Sequence, residues 1–259
     1  MKVLFVADIC GEVGLEMAEK QINRLRREEK IDFVVANGEN AAPKNGINEK
    51  SLRRLLLAGA DCITLGNHSF DCAEVLDFID HSEELIRPYN YPQGTPGKGW
   101  CLLEKGAECL AVASLLGNVF VSNLPSPFAA VDDLLAEIKA SCGVKNILID
   151  IHAEATSEKI ALAYYLDGKV SAVIGTHTHV QTADEKILAQ GTGYLTDCGM
   201  CGAFESVLGV DAALAIERFR TQRPVRFAQA KGKGQFNGCI LEINNGKTKS
   251  IKRINIVEK

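Results

Sequence analysis

Residues 146–179 read NILIDIHAEATSEKIALAYYLDGKVSAVIGTHTH. Asn146–Ile151 and Val170–Ile174 are apolar and β-branched like buried strands, and Ser157–Leu166 between them has helical spacing. Strand, helix and strand in one short stretch predict a parallel pair with a crossover helix. Each strand runs straight into histidine: His152 after the first, His177 and His179 of GTHTH after the second. A lone H-x-H is as readily a surface loop as a pair of metal ligands, so the rest of the chain decides.

The amino-terminal half repeats the pattern. Strands are expected at Lys2–Ala7, Ile31–Asn37 and Asp61–Leu65, with helices over Val13–Lys30, from an Asn48 cap to about Ala58, and over Glu74–Ile79. Such alternation implies a mainly parallel sheet, whose ligand sites lie beyond the carboxyl ends of the strands. Three of those ends read VADIC (6–10), VANGEN (35–40) and TLGNH (64–68).

Between the halves, RPYNYPQGTPGKG (87–99) is too rich in Pro and Gly for a helix or long strand. Its Arg87–Pro92 part is either a connection or the substrate side of a pocket. Strands follow at Trp100–Leu103 and Cys109–Leu116, then a Pro-containing loop at 124–127 and a helix over Val131–Ser141. Past Lys186, short strands are expected at Gly193–Thr196, Val225–Ala230, Gly238–Ile243 and Ser250–Val257, with a helix over Asp211–Arg220. Asn244-Asn245-Gly246 is a turn signal between the last two, which predicts an antiparallel carboxyl end. The economical architecture is one domain over 1–259, with two sheets and helices outside.

With 259 residues, 46% of them hydrophobic, the chain can build a large core. A net charge of −4 gives no footprint for stable duplex nucleic-acid binding. The apolar run Val3–Ala7 is too short for a signal peptide or membrane span, so a cytoplasmic location without membrane attachment is expected. The nine cysteines are odd in number and scattered, which predicts mostly reduced, buried thiols at positions such as Cys62, Cys109, Cys142 and Cys239. Nothing in the sequence sets an oligomeric state, and a homo-oligomer stays open.

The strand-end polar residues are Asp8, Glu39, Asn40, Asn67, His68, His152, His177 and His179, which include four of the five histidines. One such residue is most simply a cap or turn former. Eight on one rim point to chemistry. Carboxylate, amide and imidazole donors suit Mn, Fe or Zn, and a carboxylate such as Glu39 can bridge two cations that clamp a phosphoryl displacement.

The order Asp8, Gly38-Glu39-Asn40, Gly66-Asn67-His68, His152 and Gly175-Thr-His177-Thr-His179 resembles the calcineurin-like metallophosphoesterase superfamily, with its D-x-H, G-D-x-x-D, G-N-H-[DE], H and G-H-x-H pattern. The longer runs ADICGEVG, VANGENAA, ITLGNHSFD, RPYNYPQGTPGKG, DIHAEATSEKIAL and GTHTHVQTADE resemble its YmdB-like branch of bacterial cyclic-nucleotide phosphodiesterases. The resemblance spans nearly the whole chain. It implies a four-layer α/β/β/α sandwich of two mixed sheets flanked by helices.

It also implies one metal held by Asp8, Glu39, Asn40 and His179, and a second held by Glu39, Asn67, His152 and His177. Cys10 and Gly38-Glu39-Asn40 depart from the wider pattern, and both departures match the branch. They favour iron, then manganese, over zinc or magnesium, as divalent or mixed-valence ions. The implied substrate is a small-molecule cyclic nucleotide, 2′,3′-cyclic and 3′,5′-cyclic both being candidates. A hydroxide between the metals would attack phosphorus while His68 protonates the leaving oxygen, a job that suits an imidazole. Asp71 either orients that imidazole or caps a helix.

Other readings remain. His152-Ala153-Glu154 with Cys198-Gly199-Met200-Cys201 resembles a zinc-deaminase pattern, but Asp197 stands where proline belongs and five candidate ligands are left unused. Cys198 and Cys201 as a redox pair fit less well than packing thiols. The same metal centre could serve a phosphoprotein or phosphomonoester phosphatase. A metal-stabilised binding module without turnover would need no spare His68.

Overall fold

The computed structural model describes residues 1–259. Its first elements are β1 (Lys2–Val6), β2 (Asp8–Ile9), α1 (Gly11–Glu28), β3 (Phe33–Asn37), α2 (Glu49–Leu57), β4 (Cys62–Thr64), β5 (Leu85–Ile86), β6 (Trp100–Lys105) and β7 (Glu108–Leu116). There follow α3 (Pro127–Ser141), β8 (Ile147–His152), α4 (Thr156–Tyr165), β9 (Ala172–Thr176), β10 (Lys186–Ile187), β11 (Gly193–Leu195) and β12 (Met200–Ala203). The chain ends with α5 (Ala212–Thr221), β13 (Gly234–Asn244) and β14 (Lys247–Val257).

Two mixed sheets result. In the first, β1, β3, β4 and β5 are parallel, and β13 runs antiparallel to β1, to β14 and to β12. The second has the order β10-β11-β9-β8-β7-β6, with β7, β8, β9 and β11 parallel. Alternation along β1 explains the stacking. Val3 and Phe5 face a core shared with Val112, Leu148 and Ile174 of the second sheet, while Leu4 and Val6 face α1 and α2. A third core packs α3 and α4 on the outer face of the second sheet. The layers are therefore helix, sheet, sheet, helix, as expected.

Local chemistry sets the boundaries. The apolar stripe Leu15, Ala18, Ile22 and Leu25 turns α1 onto its sheet. Asn48 caps α2 by accepting from the Ser51 N–H at 2.8 Å. Arg54 then ties α2 to α1 through both Glu19 oxygens, at 2.7 and 2.9 Å. Asn245 and Gly246 adopt φ of 47° and 79°, which closes the β13–β14 hairpin in the two-residue turn the sequence predicts.

Several expected elements differ. Val225–Ala230 is not a strand: beyond Pro224, which has no N–H to give a ladder, the segment keeps only the bridge between Val210 and Gln229. Glu74–Ile79 is a 3-10 turn over Ala73–Asp77 and not an α-helix. The first strand breaks at Ala7, and Asp8–Ile9 moves over to pair with β12. Val170 precedes its strand, which extends to Thr176 instead. Cys142 is exposed and Cys109 half-buried, so the packing role holds for Cys62 and Cys239 but not for those two.

Parallel strands that share a direction end on one rim. There β2, β3 and β4 of one sheet meet β8 and β9 of the other. Close approach at that seam requires glycine. A Cβ on Gly175 would overlap the Thr196 carbonyl oxygen and crowd Lys159. We expect Gly175→Ala to lower stability by about 3 kcal/mol through overpacking, read as a drop in the urea midpoint; an unchanged midpoint would contradict the packing described.

Candidate active site

The GTHTH turn is shaped from beneath. Lys159, fully buried on α4, donates to the Thr176 carbonyl at 2.6 Å and to Asp197 Oδ2 at 2.8 Å. The same Asp197 oxygen accepts from the Thr178 N–H at 3.0 Å and its hydroxyl at 2.8 Å. So anchored, His177 and His179 adopt φ of 100° and 64°, conformations that L residues seldom take. The His177 N–H donates to Asp8 Oδ2 at 3.1 Å, which locks the turn to β2 of the other sheet.

All eight strand-end residues come together here. Glu39, His152 and His177 offer ligand atoms within 4.8 Å of one another. His152 Nε2 lies 2.8 Å from Glu39 Oε1, 3.1 Å from Asn67 Oδ1 and 3.1 Å from His177 Nδ1. On the other side of Glu39, His179 Nε2 lies 3.6 Å from Asp8 Oδ1 and 3.3 Å from the Asn40 amide nitrogen. Gly66 has no Cβ because one would overlap Glu39 Oε2 and the His152 ring.

The far nitrogen of each imidazole is engaged. Thr176 gives its one hydroxyl hydrogen to Asp150 Oδ1 at 2.6 Å, so its oxygen accepts from His152 Nδ1 at 2.8 Å. His177 Nε2 is 3.2 Å from Glu154 Oε2, and His179 Nδ1 donates to the Leu208 carbonyl at 3.1 Å. The nitrogen left over on each ring is the one facing the cluster. Metal-binding histidines are oriented in this way, by a carboxylate or carbonyl behind the ring.

The carboxylates supply a second sign. Asp8 Oδ1 and Glu39 Oε1 are buried and accept no hydrogen bond, Glu39 Oε1 facing His152 Nε2 without a hydrogen bond's alignment. A buried acceptor left without a donor costs about 1–3 kcal/mol. A cation is the partner that removes that cost, and the donors present, three imidazoles, two carboxylates and two amides, fit it.

Burial alone would raise both acids. The nearby His179 imidazole outweighs it and holds Asp8 well below the carboxylate range, and His152 does the same for Glu39. Burial pulls His152 down, but Glu39, Asp8 and Asp150 overcome it and lift it to about 9. A field that holds a proton on Nε2 also favours a metal cation there. His177 is pushed down to about 4 by burial and by His152.

His68 is set differently. Its ring lies at the mouth of a cavity of about 390 Å³, with Nδ1 2.7 Å from Asp71 Oδ2. The His68 backbone N–H donates to Glu39 Oε2 at 3.2 Å. The Arg87–Pro92 loop does not line this cavity. Arg87 is buried, and its guanidinium is filled by the carbonyls of Pro88, Thr95 and Pro96, so it holds its own loop together.

Sequence reasoning missed the supports. Asn37, Thr64, Asp150 and Thr176 form one buried network, in which Asp150 Oδ2 accepts from Asn37 at 3.0 Å and Thr64 at 2.5 Å. Burial raises Asp150 to about 6 against those hydrogen bonds and the charge of His152. The available signal was a polar residue within an apolar strand at Asp150 and at the ends of apolar strands at Asn37, Thr64 and Thr176. The wall formed by Leu208, Val210, Phe227 and Gln229 carries no such signal. Cys198 lies in the core between the sheets and Cys201 in the core under α1, so they form neither a redox pair nor a zinc pair.

A family model described as YmdB-like protein matches residues 4–254. A 2′,3′-cyclic-nucleotide 2′-phosphodiesterase of Bacillus subtilis (strain 168) is 46% identical over 252 residues, covering 97% of this chain and 95% of that protein. A crystal structure of a hypothetical protein from Thermus thermophilus superposes with a TM-score of 0.94 at 44% identity, covering 100% of both chains. A novel phosphatase from Mycoplasma pneumoniae gives 0.92 at 31% identity, over 99% of this chain and 93% of that one.

The clamp under GTHTH is testable apart from any reaction. Lys159→Met leaves Asp197 buried and unpaired, and we expect it to lower the unfolding free energy by about 3–5 kcal/mol. Urea denaturation in the presence of a chelator measures this; a loss under about 1 kcal/mol would show that the pair is dispensable.

Proposed function

The chain belongs to the YmdB-like protein family and is a phosphoric ester hydrolase, and we propose that it is a dinuclear-metal phosphodiesterase acting on cyclic nucleotides, the 2′,3′-cyclic class before the 3′,5′-cyclic. The observation that carries this reading is the pair of buried carboxylate oxygens, on Asp8 and Glu39, that accept no hydrogen bond while facing imidazole nitrogens. The donor set supports membership of the calcineurin-like metallophosphoesterase superfamily, as one catalytic domain over 1–259.

Asp8, Glu39, Asn40 and His179 would hold one cation and Glu39, Asn67, His152 and His177 another, Glu39 being common to both. Iron is our first assignment and manganese the second, because amide and carboxylate oxygens balance the imidazoles. Cations there supply positive charge for the phosphoryl oxygens and acidify water.

The chain's own groups do the rest. His68 stands beside Asn67 yet outside both ligand sets, and with Nδ1 engaged by Asp71 its Nε2 is the nitrogen left to meet a substrate. It protonates the departing ribose oxygen, and Asp71 fixes the orientation of the ring. The cavity admits a nucleotide-sized molecule at the low end of ligand-pocket volumes, about 300–1,000 Å³.

Hydrolysis of bis-p-nitrophenyl phosphate with Mn²⁺ tests the assignment, with metal content measured on the same samples. On a cyclic nucleotide, whose ribose oxygen needs a proton to leave, His68→Ala should keep its metal and lose about 10²–10⁴ in kcat, with a smaller loss on bis-p-nitrophenyl phosphate, whose nitrophenolate leaves unprotonated. Glu39→Gln should lose both metal and turnover. Turnover of the cyclic nucleotide by His68→Ala at the parent rate would contradict the role of His68. Metal without turnover in the parent would favour a binding module, and hydrolysis of phosphopeptides above cyclic nucleotides would favour a phosphatase.

A further inference from the structure

The cavity beside the metal-competent residues has two unlike walls. One carries Glu39, Asn40, His68, His177 and His179. The other is built from residues 208–210 and 227–229, and its side chains are largely apolar. Leu208 is 50% exposed and Phe227 43% exposed. Phe227 belongs to none of the three cores and lines the cavity beside Leu208 and Val210. Together they offer an apolar face to a ligand whose polar end lies against the opposite wall.

We propose that Phe227 is the platform on which the substrate's nucleobase stacks while its phosphate is held by the opposite wall. This rests on the phosphodiesterase reading and deepens it. Three observations support it. The Arg218 guanidinium lies 5.2 Å from the Phe227 ring centroid, a cation–π contact that fixes the ring in the cavity wall.

The wall is also fixed in place. The Asp211 N–H donates to the Ala228 carbonyl at 3.0 Å, and the Ala230 N–H to that of Gly209 at 2.9 Å, which brackets the bridge between Val210 and Gln229. Gln229 then reaches across to the Ala42 carbonyl at 3.1 Å, near Glu39 and Asn40. Gly11 leaves room for that side chain, since a Cβ there would overlap it. Finally, the Leu208 carbonyl is the acceptor that orients His179. The apolar wall and the phosphate side are thereby joined by hydrogen bonds from both Gln229 and His179.

Stacking recognises a π face that every base has, and this wall presents no charged group to a base edge. The selectivity it gives is for a base over none, with purines ahead of pyrimidines through their larger face.

The test compares kcat/KM for adenosine 2′,3′-cyclic phosphate with that for glycerol 1,2-cyclic phosphate, an ester without a base. Phe227→Ala should lower the ratio of the two by about tenfold or more, mainly through KM for the nucleotide, and Phe227→Trp should keep it within about twofold. Phe227→Leu, apolar but not planar, should behave like Ala. A Phe227→Ala ratio equal to the parent's would overturn the proposal, whether both esters slow together or neither does.

If the parent hydrolyses neither ester, the phosphodiesterase reading fails, and binding decides the platform separately. Calorimetry with adenosine 2′-monophosphate on manganese-loaded protein should show about tenfold weaker binding for Phe227→Ala. Equal binding by both proteins, or none by either, would overturn it.

Discussion

Two carboxylates, Asp8 and Glu39, sit wholly buried, and Asp8 Oδ1 and Glu39 Oε1 accept no hydrogen bond although imidazole nitrogens face them. That arrangement is unfavourable unless a positive charge joins it, and much of the surrounding architecture serves it. Three imidazoles turn a nitrogen toward those oxygens, each ring held from behind by a threonine, a glutamate or a backbone carbonyl. The negative field that results explains the high affinity of His152 for a proton, while burial and the neighbouring His152 charge keep the proton affinity of His177 low against that field. A cation placed there would use the same field.

The two sheets make this possible because neither holds the whole set. The first sheet contributes Asp8, Glu39, Asn40, Asn67 and His68, and the second His152, His177 and His179. The core between them, from Val3 and Phe5 to Leu148 and Ile174, fixes how the two rims meet. Small errors in that packing would displace donors that must converge within a few ångströms. The glycines at 66 and 175 are part of the same constraint, since a side chain at either would push ligand-bearing segments apart.

Much of this was legible in the sequence. Strand, helix and strand alternate visibly, polar residues at strand ends mark the rim, and Asn244-Asn245-Gly246 sets the last hairpin. Less legible was whatever depends on partners distant in the chain. Lys159 lies on a helix whose sequence reads as a solvated face, yet it is buried because Asp197 meets it from after β11. Val225–Ala230 has the composition of a strand and no neighbouring strand to pair with. The apolar wall around Phe227 is assembled by surface segments that follow no period, so no local pattern announces it. For the Arg87–Pro92 loop the sequence left connection and substrate contact both open, and the structure shows Arg87 held by the carbonyls of its own loop.

The most direct test is the number of transition-metal ions per chain after reconstitution with iron or manganese, measured by elemental analysis on the parent and on Asp8→Asn. Converging donors around a shared Glu39 predict two ions in the parent and fewer in the variant. A parent that never takes up more than one ion, or a variant that binds as many as the parent, would contradict the account.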